Sequence, residues 1–436
     1  MARNFELAKI ANNSNEICPC DDAIATTRHG FICDGFWEAR ERTRNRDLAS
    51  TSALALMQRM EPLSAAPAPT SIALDQLDLG IASAWRLRPS GLLTGSTAIA
   101  ASASGDGLPL AGSATVFTLV ELLARTPGGI VAALAPLRRF QNWTAQQPGA
   151  ARQDIESQLR RSSESRAPFA GLSLDRPRIM GIINVTPDSF YTGTGADPAK
   201  AIALGQSMIE AGADILDIGG ESTRPGAAAV SEAEELRRLE PVVRALAPLG
   251  AVISVDTRKA AVMAAALSWG ARIVNDVAAL EGPGSLETVA RSDASAVLMH
   301  MQGEPATMQQ GPRYDLASLD VADYLEARIA ACIAAGIAPH RLVVDPGFGF
   351  GKNVAHNLEL LGRLSLLQGL GCGVLVGLSR KSTIGRLSGA SLEERLPGSL
   401  ASALYALSQG AQILRVHDVA ETRQAVAVWR GIAAGA

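Results

Sequence analysis

The second part of the chain repeats one pattern eight times between residues 178 and 417. Each repeat is a short apolar run that ends in polar residues, and most runs are followed by a segment with helical periodicity. The runs read RIMGIIN, DILDIG, AVISVD, RIVND, AVLMH, RLVVD, GVLVGLS and QILRVH. Short apolar strands that alternate with helices are typical of parallel strands joined by crossovers. Eight such units in about 260 residues predict a closed (β/α)8 barrel, and a doubly wound open sheet is the alternative.

The first 170 residues differ from the rest of the chain in composition and in hydrophobic periodicity. Ser, Ala, Pro and Thr accumulate in stretches such as PLSAAPAPTS, and periodic segments are short. TVFTLVELLA (115–124) is predicted as a helix, and ARQDIESQLRRSSESRAP (151–168) as a polar helix or linker. No motif with recognisable chemistry occurs here. We therefore expect an N-terminal extension (1–170) of unknown function and partly irregular or disordered structure, followed by the barrel (176–436).

Composition excludes several classes of partner. The net charge is −3, from 40 basic and 43 acidic residues, which gives no electrostatic footprint for nucleic acid or an anionic membrane. No run of about 18 apolar residues occurs, so no membrane span is expected. The five cysteines are an odd, scattered set, which does not resemble a disulfide framework and fits a reducing cytoplasm.

Polar side chains lie at the ends of the eight apolar runs. Barrel chemistry sits at the carboxyl ends of the strands, where the side chains of all eight strands meet. One polar strand end would mean little, but eight in succession predict a common polar pocket. The residues concerned are Asn184, Asp217, Asp256, Asn275, Asp276, His300, Asp345, Ser379, Lys381, Arg415 and His417.

The last two strand ends suggest an anion site. Arg415 and His417 share one face of their strand because side chains alternate. Ser379 and Lys381 lie close to the end of the preceding strand, and a helix is predicted to open at Ser382. A cation, an imidazole and a helix N-terminus suit phosphate. For Arg415 and His417 alone, an Arg–carboxylate pair with a capping His is an equally good interpretation.

Three other strand ends suit a flat, polar ring. Asp256, Asn275 and Asp345 offer acceptors and donors, and a guanidine-like edge would prefer the carboxylates. Each is also a plausible helix N-cap. In DPGFGFGKN the glycines let backbone approach a ligand, and Phe350 can stack on a ring. The long loops after the first two strands are predicted to act as lids that exclude water.

Eight motifs carry a family resemblance. GIINVTPDSF, GGESTRPG, SVDT, NDV, VLMHMQG, DPGFGFGKN, GLSRKS and RVHDV follow one another in this order. Over residues 176–434 they resemble the dihydropteroate synthase family. The resemblance implies a TIM barrel that joins (7,8-dihydropterin-6-yl)methyl diphosphate to 4-aminobenzoate with Mg²⁺, a step of folate biosynthesis. It also implies a cytoplasmic homodimer that sulfonamides would inhibit.

The resemblance assigns a role to each matching position. Pterin binding is implied for Asp256, Asn275, Met299, Asp345, Phe350 and Lys381. Diphosphate binding is implied for Asn184, Thr223, Arg224, Arg415 and His417, with Mg²⁺ contacted by Asn184. The 4-aminobenzoate site would be bordered by Phe190, Pro225, Lys381 and Ser382. Catalysis would depend on Asp256, Lys381, Arg415 and Arg224.

The first loop departs from the family pattern. After NVTPDSF the family usually continues Ser-Asp-Gly-Gly, whereas this chain has Tyr191-Thr192-Gly193-Thr194. The alternative to a working synthase is therefore a pterin-binding paralogue with impaired catalysis. The altered loop also suggests a changed sulfonamide sensitivity, because this loop borders the 4-aminobenzoate pocket. A third interpretation is a methyltransferase that moves a methyl group from a reduced folate. It needs no diphosphate site, so SRKS and RVHDV argue against it.

Overall fold

A small, mostly antiparallel sheet precedes the barrel in the chain. The computed structural model describes residues 68–186, 197–222, 229–305 and 307–435. The small sheet has the order β1-β5-β4-β2, and β3 pairs with β4. Its strands are β1 (Thr70–Ser71), β2 (Ala84–Leu93), β3 (Leu108–Pro109), β4 (Val116–Thr126) and β5 (Gly129–Pro136). Its helices are α1 (Gly95–Ser104), α2 (Leu137–Thr144) and α3 (Gly149–Ser163).

The helix predicted over 115–124 is wrong, because this segment forms strand β4. Its apolar residues are dense enough to fit a helical or a strand period, and pairing decides between them. β4 pairs with β2 on one side and β5 on the other. Val120 and Leu122 face the core of the small sheet, whereas Leu123 joins the core around the barrel. The polar helix predicted over 151–168 is confirmed as α3, which ends at Ser163.

Eight parallel strands close into the predicted barrel. The order is β10-β11-β12-β13-β6-β7-β8-β9. The last strand along the chain, β13, pairs with the first strand of the barrel, β6, so that no sheet edge remains. The open-sheet alternative is therefore wrong. The strands are β6 (Arg178–Asn184), β7 (Ile215–Gly219), β8 (Val252–Asp256), β9 (Ile273–Asp276), β10 (Ser295–Met299), β11 (Leu342–Asp345), β12 (Gly373–Val376) and β13 (Ile413–Val416).

Helices follow the barrel strands, and local sequence sets where several of them begin. Asp197 caps α4 by accepting the Ala199 amide, and Ser231 caps α5 by accepting the Glu234 amide. The helices are α4 (Pro198–Glu210), α5 (Glu232–Leu246), α6 (Ala260–Ser268), α7 (Ser285–Ala290), α8 (Ala317–Ala334), α9 (Val354–Gly362), α10 (Ser382–Ser388), α11 (Leu396–Ser408) and α12 (Val419–Ala434). A 3₁₀ helix, Leu364–Leu370, follows α9.

The barrel interior is divided into an apolar part and a polar part. One apolar residue from each strand, including Met180, Ile215 and Val297, forms an inner cluster. Phe169 and Leu174, which precede β6, join this cluster. Asp217, Asp256 and the other polar residues lie at or near the carboxyl ends of the strands. The apolar cluster supports the polar residues at the carboxyl ends of the strands, which form the candidate active site.

No helix in the described part of the chain is long and apolar enough to cross a membrane.

Candidate active site

Strand register brings the predicted polar residues together at the carboxyl ends. Asn184 of β6 pairs with Gly219 of β7, which pairs with Asp256 of β8. Asp256 in turn lies beside Asn275 of β9. On the far side of the barrel, Met299 of β10 lies beside Asp345 of β11. The prediction that these residues share one rim is therefore confirmed by the strand pairing.

Asp217 is the centre of the polar network. Its carboxylate is fully buried, and it accepts hydrogen bonds from Ser254 Oγ at 2.6 Å and Asn275 Nδ2 at 3.0 Å. It also accepts a hydrogen bond from Arg415 Nε at 2.6 Å. A buried carboxylate with three donors, one of them a cation, is held in a single position. Asp217 thus fixes Asn275 on one side and Arg415 on the other.

Arg415 bridges two carboxylates. Its Nη2 donates to Asp256 Oδ2 at 2.7 Å, while its Nε is held by Asp217. The pKa of Asp256 is raised to about 7, mainly by burial; Arg415 opposes this rise, and the charges of Asp217, Glu235 and Asp276 add to it. Burial also lowers the pKa of Arg415, but Asp217 and Asp256 outweigh that effect, and the net pKa is raised. Arg415 therefore stays charged and holds Asp256 in place.

His417 and Ser379 lie beside this cluster at the predicted anion site. Ser379 Oγ lies 3.0 Å from His417 Nδ1, and it accepts the His417 amide at 3.2 Å. The Ser379 hydroxyl can donate its hydrogen to Nδ1, and in that arrangement the imidazole carries its proton on Nε2. An Nε2–H group is a suitable donor to a phosphate oxygen.

Arg380 joins the two turns that carry the anion site. Its guanidinium makes two bonds to Asp418, at 2.9 and 2.8 Å, and both side chains are buried. It also donates to the carbonyl oxygens of Leu392 and Glu393. Arg380 has a φ of +56°, a conformation that costs a non-glycine residue energy. The bidentate pair offsets that cost and fixes Lys381 relative to His417.

The glycine-rich turn that follows β11 forms another part of the pocket wall. Gly347 donates its amide to Asp345 Oδ1 at 2.7 Å. Lys381 Nζ lies 4.3 Å from the centroid of the Phe350 ring, so the two predicted pterin residues are in contact. Burial raises the pKa of Asp345, and the nearby Lys381 and Arg415 lower it. This wall therefore offers an aromatic face, an ammonium group and a carboxylate.

Lys352, for which the sequence predicted no role, holds the glycine-rich turn in place. Its buried ammonium donates to the carbonyl oxygens of Gly347 and Phe350, both at 3.0 Å, and contacts His300 Nδ1 at 2.9 Å. Burial lowers the pKa of His300 to about 3, helped by the Lys352 charge. His300 is therefore a neutral acceptor for Lys352, and its place at a strand end reflects that structural role. The only signal in the sequence was a lysine directly after the glycine run.

Asn184 offers an amide oxygen beside Asp256 at the carboxyl ends of the strands. Its Oδ1 and the Asp256 side chain both border Gly219: a Cβ added there would lie 3.6 Å from Asn184 Oδ1 and 3.5 Å from Asp256 Cβ. Magnesium is usually bound by one or two protein oxygens, waters and substrate phosphates. The described residues contain no cluster of three or more His, Cys, Asp or Glu side chains suited to a metal. The donors fit a cation that arrives with a phosphate.

Four predicted site residues lie outside the described residues: Phe190, Thr223, Arg224 and Pro225. The altered first-loop residues Tyr191 and Thr192 also lie outside them. Ser382 is the first residue of α10, as predicted. Asp217 lay among the predicted strand ends without an assigned role, although a carboxylate within the apolar run DILDIG was a signal that it is bonded inside the barrel.

The chain matches the family model described as pterin binding enzyme over residues 180–417. It belongs to the pterin-binding enzyme family. One member of this family, dihydropteroate synthase from Neisseria meningitidis, is 51% identical over 269 residues, which cover 60% of this chain and 94% of the relative. The residues before 180 lie outside the family match.

Two solved structures of pterin-binding enzymes share the barrel. Yersinia pestis dihydropteroate synthase in a sulfonamide drug complex has a TM-score of 0.59 and 49% identity, covering 60% of this chain and 96% of its own. Burkholderia cenocepacia dihydropteroate synthase complexed with 7,8-dihydropteroate has a TM-score of 0.57 and 44% identity, covering 61% and 96%. The similarity extends over nearly the whole of both enzymes.

Proposed function

We propose that the chain is a dihydropteroate synthase. It condenses (7,8-dihydropterin-6-yl)methyl diphosphate with 4-aminobenzoate to give 7,8-dihydropteroate and diphosphate, a step of folate biosynthesis. The observation that carries the proposal is the Asp217–Arg415–Asp256 cluster, which joins a carboxylate suited to a pterin, Asp256, to an arginine suited to diphosphate, Arg415. Relatives of about half-identical sequence that carry this name support it.

The pterin would bind against the wall formed by Asp256, Asn275 and Asp345. A pterin presents a guanidine-like edge whose N–H groups match carboxylate and amide oxygens. Phe350 and Lys381 contribute an aromatic ring and an ammonium group to the same pocket, with the ammonium nitrogen 4.3 Å from the ring centroid. Met299 is buried beside Asp345 and would add apolar contact at the edge of the pocket. The pocket thereby recognises the shape and the donors of the pterin.

The diphosphate would bind at Asn184, Arg415 and His417, with Thr223 and Arg224 contributing from the second loop. Arg415 uses Nε and Nη2 for its ion pairs, and its Nη1 makes no hydrogen bond within the described residues. That nitrogen is the donor we assign to the diphosphate. Bound Mg²⁺, contacted by Asn184, would neutralise charge that develops on the phosphate oxygens.

The reaction requires one bond to break and one to form. The carbon–oxygen bond between the pterin methyl group and the diphosphate breaks, and the electron pair leaves with the diphosphate. The neutral amine nitrogen of 4-aminobenzoate bonds to that carbon and then loses a proton. Arg415 and His417 would stabilise the leaving group, and Asp256 would stabilise positive charge on the pterin. Catalysis would therefore rest on electrostatics and positioning, with no activated nucleophile.

The 4-aminobenzoate would bind near Lys381 and Ser382, bordered by Phe190 and Pro225 of the two loops. Lys381 would bind its carboxylate while still touching Phe350. A sulfonamide presents an aniline of similar shape with an anionic group opposite it. It would therefore compete for this site, as the sulfonamide complex of the related enzyme suggests.

The first test measures the formation of diphosphate and 7,8-dihydropteroate by the wild-type chain and by a Lys381→Ala variant. We expect the wild-type chain with Mg²⁺ to form diphosphate and 7,8-dihydropteroate in equal amounts. The variant should lose about a hundredfold to a thousandfold in turnover, because it removes a positive charge from the site. Lys200→Ala is the matched control, since Lys200 is an exposed lysine on α4. The control should retain full turnover.

Two outcomes would contradict the proposal. If neither product forms while a dihydropterin still binds, the chain is the impaired pterin-binding paralogue. If no pterin binds, the assignment of the pocket is wrong. Full turnover in Lys381→Ala would remove Lys381 from the catalytic set without affecting the other assignments.

We also propose that the enzyme is a cytoplasmic homodimer. Exposed apolar side chains on the last two helices support self-association, namely Tyr405 of α11 with Val428 and Ile432 of α12. Sedimentation at micromolar concentration should give the mass of two chains, and a species with the mass of one chain would contradict the dimer. Two buried, unpaired cysteines, Cys332 and Cys372, are consistent with a reducing compartment.

A further inference from the structure

The small sheet presents its charged face to the barrel. In β2 and β4, Leu87, Leu122 and Ala124 point into the core shared with α2 and α3. The alternate residues form the opposite face, which carries Arg86, Arg88, Glu121 and Arg125. All four make ion pairs with residues beyond position 310 or with one another. A charged face normally contacts water, whereas this face forms ion pairs with residues of the barrel part of the chain.

The first link runs from the sheet to α8. Arg125 bonds Asp320, and it reaches Asp323 at 3.2 Å. Arg86 bonds Asp323 at 2.9 Å and Glu326 at 2.6 Å. The side chains of Arg86 and Arg125 are only 11% and 21% exposed, so these pairs are less screened than ordinary surface pairs. These ion pairs attach the sheet to α8 between Asp320 and Glu326.

Asp320 also connects the sheet to the chain segment that precedes α8. Its Oδ2 accepts the amides of Asp315 at 2.8 Å and Leu316 at 3.3 Å. The neighbouring residue Tyr314 donates its hydroxyl to the Gly351 carbonyl at 2.7 Å. Arg125 is thus connected to the glycine-rich turn through one carboxylate, two backbone amides and one tyrosine.

The second link runs through α9. Arg88 bonds Glu121 at 2.8 Å and the Gly362 carbonyl at 3.0 Å, at the last residue of α9. At the other end of this helix, Asn357 Oδ1 accepts the Gly349 amide at 2.8 Å. The turn that carries Phe350 is therefore contacted by α9 and by the segment that precedes α8.

We propose that the small sheet braces the pterin wall, with Arg125 as the main positioning residue. By fixing α8 and α9, the sheet keeps the turn from Gly347 to Lys352 in the conformation that places Phe350 and Asp345 toward the ligand. The structural claim stands by itself, and its consequence for catalysis rests on the proposed function. The family match begins only at residue 180, so this brace is a property of the extension.

Hydrogen exchange on the full-length chain without ligand tests the brace directly. The amides of Gly347, Gly349 and Phe350 are all hydrogen-bonded in the turn. In Arg125→Ala we expect these amides to exchange about tenfold faster than in the wild type. Arg125→Lys should restore much of the protection, because an ammonium group can still reach Asp320. Arg161→Ala is the matched control, since Arg161 donates a hydrogen bond to the Gly369 carbonyl in the 3₁₀ segment and acts on α8 through its charge near Glu326, away from Asp320.

Kinetics then connect the brace to function. If the competent turn falls to about a tenth of the population, apparent pterin affinity falls about tenfold. We therefore expect Arg125→Ala to raise KM for the pterin diphosphate about tenfold, with a smaller change in KM for 4-aminobenzoate. Affinity for 6-hydroxymethyl-7,8-dihydropterin should fall by the same factor, without any need for turnover.

Three outcomes would overturn the brace. They are unchanged exchange in the turn of Arg125→Ala, equal acceleration in Arg161→Ala, and an unchanged pterin affinity despite faster exchange. A wild-type chain that binds no pterin would refute the proposed function instead. The exchange data would then still decide whether the sheet holds the turn.

Discussion

Replacing Arg415 with Met should produce the largest combined loss of stability and activity. The substitution leaves the buried carboxylates of Asp217 and Asp256 without their cation. Removing one partner of a buried pair typically costs about 3–5 kcal/mol. Turnover should fall about a thousandfold, because the variant also lacks the donor assigned to the diphosphate. Urea unfolding and a product assay at pH 8 measure the two effects.

The stability loss should depend on pH with a definite sign. Burial already raises the pKa of Asp256 to about 7, and removing Arg415 raises it further. A carboxyl whose pKa is raised on folding stabilises the fold most below its unfolded pKa, and this contribution disappears as pH rises through the folded pKa. Arg415→Met should therefore lose less stability near pH 5 than near pH 8. An equal loss at both pH values would contradict this account.

Arg178→Met is the matched control for Arg415→Met. Arg178 is a buried arginine of β6 that bonds Asp214 at 3.0 Å, and it lies at the opposite end of its strand from the site. The Arg178→Met variant should have a lower free energy of unfolding, and its folded form should keep the wild-type kcat/KM. If both variants lose activity to the same degree, the loss for Arg415 reflects folding and not the site.

Replacing Gly347 with Ala should cost about 3 kcal/mol or more and abolish pterin binding. Gly347 has a φ of +67°, and a Cβ there would lie 2.0 Å from the His300 carbonyl oxygen. The turn would have to move, which would break the Gly347 bond to Asp345 and the Lys352 bond to the Gly347 carbonyl. A strained backbone and a displaced turn together justify that magnitude. Unfolding and pterin titration provide the measurements.

Gly431→Ala is the control for the glycine substitution. Gly431 lies within α12, and a Cβ there would meet nothing within 4 Å. Alanine in a helix is favoured over glycine, so this variant should gain about 0.5–1 kcal/mol. Gly347→Ala with near wild-type stability and affinity would show that the turn is soft, and the geometry of the pterin wall would need revision.

The sequence predicted the barrel well because its signal is local. Each apolar run is long enough for one buried strand, and polar residues follow at its end. The same pattern predicts that Asp256, Asn275 and Asp345 lie on one rim. The small sheet was harder to predict, because the apolar residues of β4 fit two periods and only pairing with β2 and β5 selects the strand.

The partners within the site could not be predicted from the sequence. Arg415 was predicted to contact a ligand, and an ion pair with a carboxylate was the alternative. The structure has the ion pair, with Asp217 and Asp256, and the ligand contact remains a proposal. Lys352 and Arg380 act on backbone carbonyls or on residues distant in sequence, and no motif spacing reveals such contacts.

The distance along the chain between Asp217 and Arg415 sets when the pocket can form during synthesis. The two residues are 198 positions apart, and Arg415 belongs to the last barrel strand. At about 5–20 residues per second, the ribosome delivers the arginine roughly 10–40 s after the aspartate. During that interval the nascent chain holds an acidic cluster without its counter-charge. The final strand therefore closes the barrel and neutralises the pocket in one step, so that a chain released before β13 completes neither.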